Sequence, residues 1–434
     1  LKEQCKDFTP EKATEITGVS AQVIRETARI FANANPSMIY AGYASCKWLH
    51  GDLLQRAMLL LLALTGSTGK EGGGLQVANA PISRGMNQFG FSDIGPAFRL
   101  ISGTTWDYDH GNMKELTREI YGKKLADTYD KYYQKSVSED WFPDYSKHGW
   151  KMGIFAGNNG ASWRASSNVW RKNAFDELET IVSLAPDMGV TSLHSDYVLP
   201  IAHHYERNDL MLQSRVPYLQ VLNEAVAPLG ESVDDWEANR RLAEAISRRA
   251  TERGVAPIKD VVDGRTVRRD YKKTLELYTM EGRVQNSKDV AQFIINTSHG
   301  IPKITFEELS EKGIVRVNGV DNTAWDNEES PYHTEIVKSV VDKHPYETFT
   351  GRQQFYIDHE WFIEFEETLP TYKEPLSIKG YPLRMMMGHA RHGIHSTWRD
   401  DAFLLSLQRG EPDIYVNPDD AEERGVKDDD MIRV

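Results

Sequence analysis

Met152-Gly153-Ile154-Phe155-Ala156-Gly157-Asn158-Asn159-Gly160 is the stretch on which the fold turns. A short apolar run ends in a Gly-Asn-Asn-Gly turn, and the residues after it read as a helix reaching about Leu178. A second apolar run, Thr180 to Leu184, leads to Asp187, and a third, Tyr197-Val198-Leu199-Pro200, follows Asp196. Strands of four to six residues separated by helix-length segments predict a parallel sheet with helices on its faces, the layered α/β architecture. In such sheets ligands sit beyond the carboxyl ends of the strands, where Gly157, Asn158, Asn159 and Asp187 fall.

Upstream the same alternation recurs. Thr9-Pro10-Glu11 opens a helix with a cap residue, a proline at the first position and an early acid. Gly18 ends that helix, Ser20 caps the next, and Asn35-Pro36 stops it. Ser37 to Ala41 reads as a strand, Gly42 to Gly51 as a loop, and Asp52 to Leu64 as an apolar helix that Asp52 caps. Gly66, Gly69 and Gly72-Gly73-Gly74 read as a flexible turn. Residues 90–151 carry no clear period and read as a partly helical surface insertion. Asp234 to Arg253 predicts a charged helix whose buried stripe is Trp236, Leu242 and Ala245-Ile246. Residues 255–378 give few signals. Near the end, Leu383 to Met387, Ile414 to Val416 and the stretch from Met431 read as strands, with one helix begun by Pro418 and closed by Gly425. That pattern predicts the start of a small β-barrel.

The 434 residues exceed one ordinary core and predict two to four units, divided as 1–95, 96–378 and 379–434. A net charge of −13 argues against nucleic acid or an anionic membrane as the main partner. No apolar run approaches the length that spans a bilayer; the longest is Ala57 to Leu64. Two distant cysteines, Cys5 and Cys46, cannot by themselves build an iron–sulfur or zinc site.

Four constellations bear on chemistry. The Gly157 loop with Asp187 suits a dinucleotide, with phosphate at the following helix and ribose or base at the acid, but plain turn chemistry explains it too. Lys47-Trp48-Leu49-His50-Gly51-Asp52 sets a cation, an aromatic ring, an imidazole and a carboxylate at a strand's carboxyl end. Lys47 and His50 are candidate catalytic groups there, against a reading in which Asp52 only caps and Trp48 only packs. His203-His204-Tyr205-Glu206 reads as hydrogen-bonding support of a pocket rather than a metal site, because adjacent side chains diverge. His389-Ala390-Arg391-His392-Gly393-Ile394-His395-Ser396 packs three imidazoles and a guanidinium into one turn, which suits a heterocycle bearing phosphate or a solvated polar turn.

Taken in order, these blocks resemble the molybdopterin oxidoreductases of the dimethyl sulfoxide reductase family. The residues that carry the likeness are Ile16-Thr17-Gly18-Val19, Ala41-Gly42-Tyr43, His50-Gly51-Asp52, Leu64-Thr65-Gly66 to Gly74, Asp187, Ser195-Asp196 to Pro200 with Glu206, Gly388-His389 to Ser396, Leu407 to Pro412, and Asn417-Pro418-Asp419-Asp420-Ala421. The last blocks look like the branch of nitrate, selenate, chlorate and perchlorate reductases, dimethyl sulfide dehydrogenase and ethylbenzene dehydrogenase.

The resemblance implies a bis(molybdopterin guanine dinucleotide) molybdenum cofactor. Gly157, Asn158, Asn159, Asp187, Asp196, Glu206, His389, His395 and Ser396 would contact it, and Lys47 would place positive charge beside the substrate oxygen. It also implies an aspartate metal ligand and a [4Fe–4S] cluster in sequence upstream of Leu1, so this chain supplies no metal ligand. The implied partners are an iron–sulfur electron-transfer subunit, with a haem subunit as an option, and the implied compartment is the periplasm or the cytoplasmic face of the membrane. Expected reactions are oxyanion reduction or ethylbenzene-type hydroxylation. A cofactor-free structural homologue of a respiratory complex and a non-redox hydratase on the same scaffold are the alternatives.

Overall fold

The computed structural model describes residues 1–42, 45, 50–76, 113–139, 151–163, 167–212, 218–262, 265–298, 301–317, 337–375, 380–386, 401–407 and 413–433. The chain forms two compact units, Leu1–Tyr145 with Ala202–Gly380, and Ser146–Ile201 with Tyr381–Val434.

The first unit opens with α1 (Lys2–Cys5), α2 (Pro10–Thr17) and α3 (Ala21–Asn33). Thr9 Oγ1 accepts from Lys12 N and Ser20 Oγ accepts from Val23 N, so both expected caps are made. Gly18 closes α2 in the left-handed conformation at φ 72°, which glycine adopts without a Cβ penalty. Strand β1 (Met38–Tyr40) pairs in parallel with β2 (Gly74–Gln76), and α4 (Gly51–Leu64) crosses between them. The glycine run read as a flexible turn therefore ends inside a sheet. Gly73 must be glycine for a packing reason: a Cβ there would lie 2.3 Å from Ser67 O and 2.8 Å from Pro36 Cβ. His50, and not Asp52, occupies the cap position of α4, without a side-chain cap bond, and Asp52 sits in the first turn, where its charge suits the helix N-terminus.

Helices α5 (Met113–Tyr121) and α6 (Lys123–Ser138) make up the described part of the expected insertion. The stretch that gave few signals holds the main core. Strands β6 (Asp209–Leu212), β7 (Tyr218–Leu222) and β10 (Ile314–Arg316) form an antiparallel sheet in the order β10-β7-β6. Leu219, Ile295, Ile301, Ile304, Leu309 and Val317 pack together against it. Ile295 comes from α8 (Ser287–Thr297) and Leu309 from α9 (Phe306–Lys312), which begins with a reciprocal Thr305–Glu308 capping box. Between these lie α7 (Asp235–Glu252) and the hairpin of β8 (Ile258–Val262) with β9 (Arg265–Arg269). Helix α7 buries Ala238, Ala243 and Ala250, whereas Leu242 and Ile246 are exposed. The stripe expected from side-chain size is thus the wrong one: the helix lies close to its support through its alanines, and only Trp236 of the expected set makes a large contact, stacking 5.8 Å from Tyr278.

In the second unit β3 (Met152–Ala156), β4 (Thr180–Ala185) and β5 (Tyr197–Pro200) form a parallel sheet, order β3-β4-β5, within a residue or so of the expected limits. The α/β reading holds here. Among the described residues, the connection from β3 to β4 holds helical turns at Gly160–Trp163 and Ser167–Trp170 and ends in a π-turn at Arg171–Phe175. Aromatic packing accompanies that π-turn. Phe175 lies 5.0 Å from Phe155 and 4.9 Å from Trp170, with Ala161 and Ile181 buried beside it. The wider π-turn lets Trp170 and Phe175 meet on one side of the sheet. Among the described C-terminal residues, 381–386, 413–417 and 431–433 carry no strand ladder, while α11 (Pro418–Glu423) forms as read, capped by Asn417. In the first unit α10 spans Glu360–Glu364.

Candidate functional site

The carboxyl ends of β3 and β4 carry two loops locked together by one side chain. Asn159 Oδ1 accepts from Thr191 N at 3.0 Å and from Thr191 Oγ1 at 2.8 Å. Thr191 Oγ1 in turn accepts from Ala161 N at 3.1 Å. Below them Ser183 Oγ lies 3.0 Å from Ser192 Oγ, which donates to Asp187 O at 3.2 Å. Thr191, Ser192 and Ser183 are buried, and pairing buried hydroxyls in this way avoids a cost of about 1–3 kcal/mol for each group left alone.

The result is a rigid polar shelf with Gly157, Asn158 and Asp187 on its exposed side. Gly157 takes φ 58°, and a Cβ there would meet nothing within 4 Å, so glycine serves the turn and leaves the backbone open to a ligand. At Gly189 a Cβ would stand 3.1 Å from Asn159 Nδ2 and 3.4 Å from Asp187 Oδ1, so a small residue keeps the two polar groups together.

The shelf offers an acceptor carboxylate and an amide at a strand end, with the Gly157 N–H donating to Leu184 O at 3.3 Å. That set fits a purine nucleotide tail, whose base edge and ribose are donors to an acid. The described part of the helix after the loop begins at Gly160. Asn159 is spent on holding Thr191. Asp196 is likewise engaged within the sheet, accepting from Ile181 N at 2.7 Å while its own N–H donates to Ile181 O. Glu206, in the first unit, accepts from His203 N at 2.8 Å and closes a capping box on the turn His204–Glu206. Burial, then the charges of Arg207 and His203, push the His204 imidazole below its ordinary value. Lys47, His389, His395 and Ser396 lie outside the described residues.

The first unit holds a second polar cluster around His50. Its Nε2 is 2.6 Å from Tyr121 Oη and its Nδ1 is 2.7 Å from Glu367 Oε1, the latter close in distance but not in hydrogen-bond alignment. His50 and Glu367 side chains are 10% and 11% exposed. Lys373 Nζ stands 3.5 Å from the same Glu367 oxygen and donates to Phe365 O. From α4, Arg56 donates to Glu367 O at 2.7 Å and Thr368 O at 3.0 Å, and lies 5.3 Å from the Phe362 ring. Burial first, and the Glu367 charge second, raise the Tyr121 phenol above its ordinary value, so it remains a donor. His50 itself has φ 67°, a left-handed conformation that costs a residue with a side chain on the order of 1–3 kcal/mol.

Sequence reading singled out His50 and missed Tyr121, Arg56, Glu367 and Lys373. Spacing could not have found them, since Arg56 and Glu367 are 311 positions apart. Thr191 and Gly189 were within reach, because they follow Asp187 in the same strand-end loop.

Residues 10–245 match the family described as molybdopterin oxidoreductase, and residues 383–434 match the molydopterin dinucleotide binding domain. The respiratory nitrate reductase subunit alpha of Haloferax mediterranei is 34% identical over 100% of the chain and 45% of that protein. The perchlorate reductase subunit alpha of Dechloromonas aromatica is 36% identical over 99% of the chain and 46% of that protein. Among solved structures, acetylene hydratase from Pelobacter acetylenicus superposes with TM-score 0.63 at 18% identity, covering 98% of this chain and 54% of that one, which shows the fold alone. The chain thus spans about half the length of the curated relatives it matches. Its cofactor class is the molybdopterin dinucleotide, and by two matched domains in the expected order the chain belongs to the molybdopterin oxidoreductase family.

Proposed function

We propose that the chain is part of the catalytic alpha subunit of an oxyanion reductase that works by oxygen-atom transfer. The observation that carries this reading is end-to-end likeness to two oxyanion reductases at 34% and 36% identity. When bound, the bis(molybdopterin guanine dinucleotide) molybdenum group supplies a two-electron redox centre. This chain's residues bind and orient. Asp187, with Gly157 and Asn158, would hold one guanine dinucleotide tail, while His389, His395 and Ser396 would bond the pterin. Lys47 would place a positive charge beside the oxyanion, where charge changes as oxygen leaves.

The reading extends to the longer protein. A [4Fe–4S] cluster and the metal ligand would lie in the part outside this chain, and an iron–sulfur subunit, with or without a haem subunit, would pass electrons. A periplasmic location and a C-terminal β-barrel beginning near residue 379 belong to the same reading, with α/β units over 1–95 and 96–378. Among the described residues no helix is long and apolar enough to cross a membrane. The test is a panel of assays on the full-length enzyme with nitrate, chlorate, perchlorate, selenate and alkylbenzenes, using reduced and oxidised viologen dyes. Turnover of alkylbenzenes alone would replace oxyanion reduction by hydroxylation, and absence of molybdenum and pterin would sink both.

A further inference from the structure

Helix α7 keeps its large apolar residues outside: Leu242 is 43% and Ile246 36% exposed. With Arg249 and Arg253 they recur at i, i+4, i+7 and i+11, which makes one surface stripe about 17 Å long. Arg249 pairs with Glu252, whereas Arg253, the residue that ends the helix, is exposed and has no ion pair among the described residues. Six positions on, in the hairpin of β8 and β9, Lys259 stands directly opposite Arg268 in the register. Both are exposed, and neither has an ion-pair partner among the described residues; the same holds for Lys272 just beyond.

Like charges set opposite each other across an antiparallel pair are destabilising, and a two-stranded hairpin is marginal to begin with. An arrangement that works against its own hairpin calls for an anion supplied from outside. The helix dipole explains a cation at Arg253 but not the Lys259–Arg268 pair. Residues 248–273 hold nine Lys and Arg against four Asp and Glu, in a chain of net charge −13. From Arg253 to Lys259 the chain reaches at most about 20 Å, inside the footprint of an ordinary interface of about 800 Å² per partner.

We propose that the α7 stripe and the Lys259–Arg268 pair form a docking surface for an acidic face of the electron-transfer subunit. This rests on the reading of the chain as part of an alpha subunit, the term in its relatives' names. The exposed aliphatic groups give contact area, and the unpaired cations beside them steer the approach. An anionic membrane or nucleic acid is repelled by the rest of the chain, which carries all of the net negative charge. A second copy fits no better, because a two-fold axis through this surface would set cations against cations.

The test uses the full-length, cofactor-loaded subunit and its tagged electron-transfer subunit, with binding rates followed at low and high salt. Lys259→Glu combined with Arg268→Glu should slow association about tenfold or more at low salt, and the gap should close at high salt. Leu242→Ser combined with Ile246→Ser should speed dissociation about tenfold at both. Both should keep the wild-type molybdenum content. Lys259→Gln combined with Arg268→Gln should hold or raise the melting midpoint, since like charges no longer face each other. Wild-type rates in both binding variants overturn the docking surface, and so does a fall in that midpoint, because the cations then serve the fold. Salt-sensitive self-association, or retention on phosphatidylserine vesicles, that the charge reversal abolishes would give the surface to another occupant and overturns the proposal. A wild type that binds no electron-transfer subunit overturns the alpha-subunit reading itself.

Discussion

The shelf at the ends of β3 and β4 and the cluster around His50 are opposite solutions to holding polar groups. The shelf is local. Its donors and acceptors come from two loops about thirty positions apart, as the span from Asn159 to Thr191 shows, and its working carboxylate faces water. The His50 cluster is assembled from three distant stretches and is nearly dry, with its polar groups facing one another. The difference teaches that an exposed polar shelf binds whatever presents matching edges, whereas a dry cluster is committed in advance to one arrangement and one protonation pattern.

Four experiments can break or sharpen that contrast. The largest effect is expected at Lys47, three positions before His50 in the sequence: Lys47→Met should lower turnover about a hundredfold, as loss of one charge-stabilising donor does, while molybdenum content by elemental analysis stays at the wild-type level. Equal turnover would remove Lys47 from the chemistry. On the shelf, Asp187→Ala should leave folding intact and weaken dinucleotide retention about ten- to hundredfold, the worth of one hydrogen bond to a charged group, measured as guanine nucleotide released on dilution. Retention at the wild-type level would make Asp187 a turn residue.

A smaller effect separates lock from ligand. Asn159→Ala leaves buried Thr191 without its acceptor and should cost about 1–3 kcal/mol, read as a fall in the denaturation midpoint. The smallest is a control outside both regions. On α7 the hydrogen bond from Arg240, helped by Arg241, lowers Glu237 from 4.5 to about 2. A depressed carboxyl gives stability that is present above 4.5 and lost as pH falls toward 2. Glu237→Gln should flatten the stability curve in that window and lower stability slightly at neutral pH, the loss kept small by solvent screening; an unflattened curve would mean that Glu237 is not the group that titrates there.

The sheet of the second unit was legible because its strands are short apolar runs, although only β4 is largely buried, and because Gly157 and Asp187 punctuate them. Caps at Thr9 and Ser20 were equally plain, being local hydrogen bonds. What stayed hidden was set by tertiary contact. Helix α7 turns alanines inward although Leu242 and Ile246 are larger, because distance to the support decides burial there. The π-turn at Arg171–Phe175 depends on where the Phe155, Trp170 and Phe175 rings meet, which no periodicity encodes. The antiparallel core around Leu219 and Ile295 drew no attention because its strands are short and its helices modest in length. Of the candidate site residues, those whose partners are near in sequence were found, and those such as Glu367 were not.

The reach of Arg56 to the carbonyl of Glu367 has a consequence in time. With 311 positions between them, and synthesis at about 5–20 residues per second, the guanidinium waits roughly 15 to 60 s for its acceptors to leave the ribosome. Until then α4 carries a cation with no carbonyls to bind, and His50 has no carboxylate to face. The dry cluster is therefore a late seal on the first unit, and a nascent chain shows its polar interior to the cell's folding helpers until that seal closes.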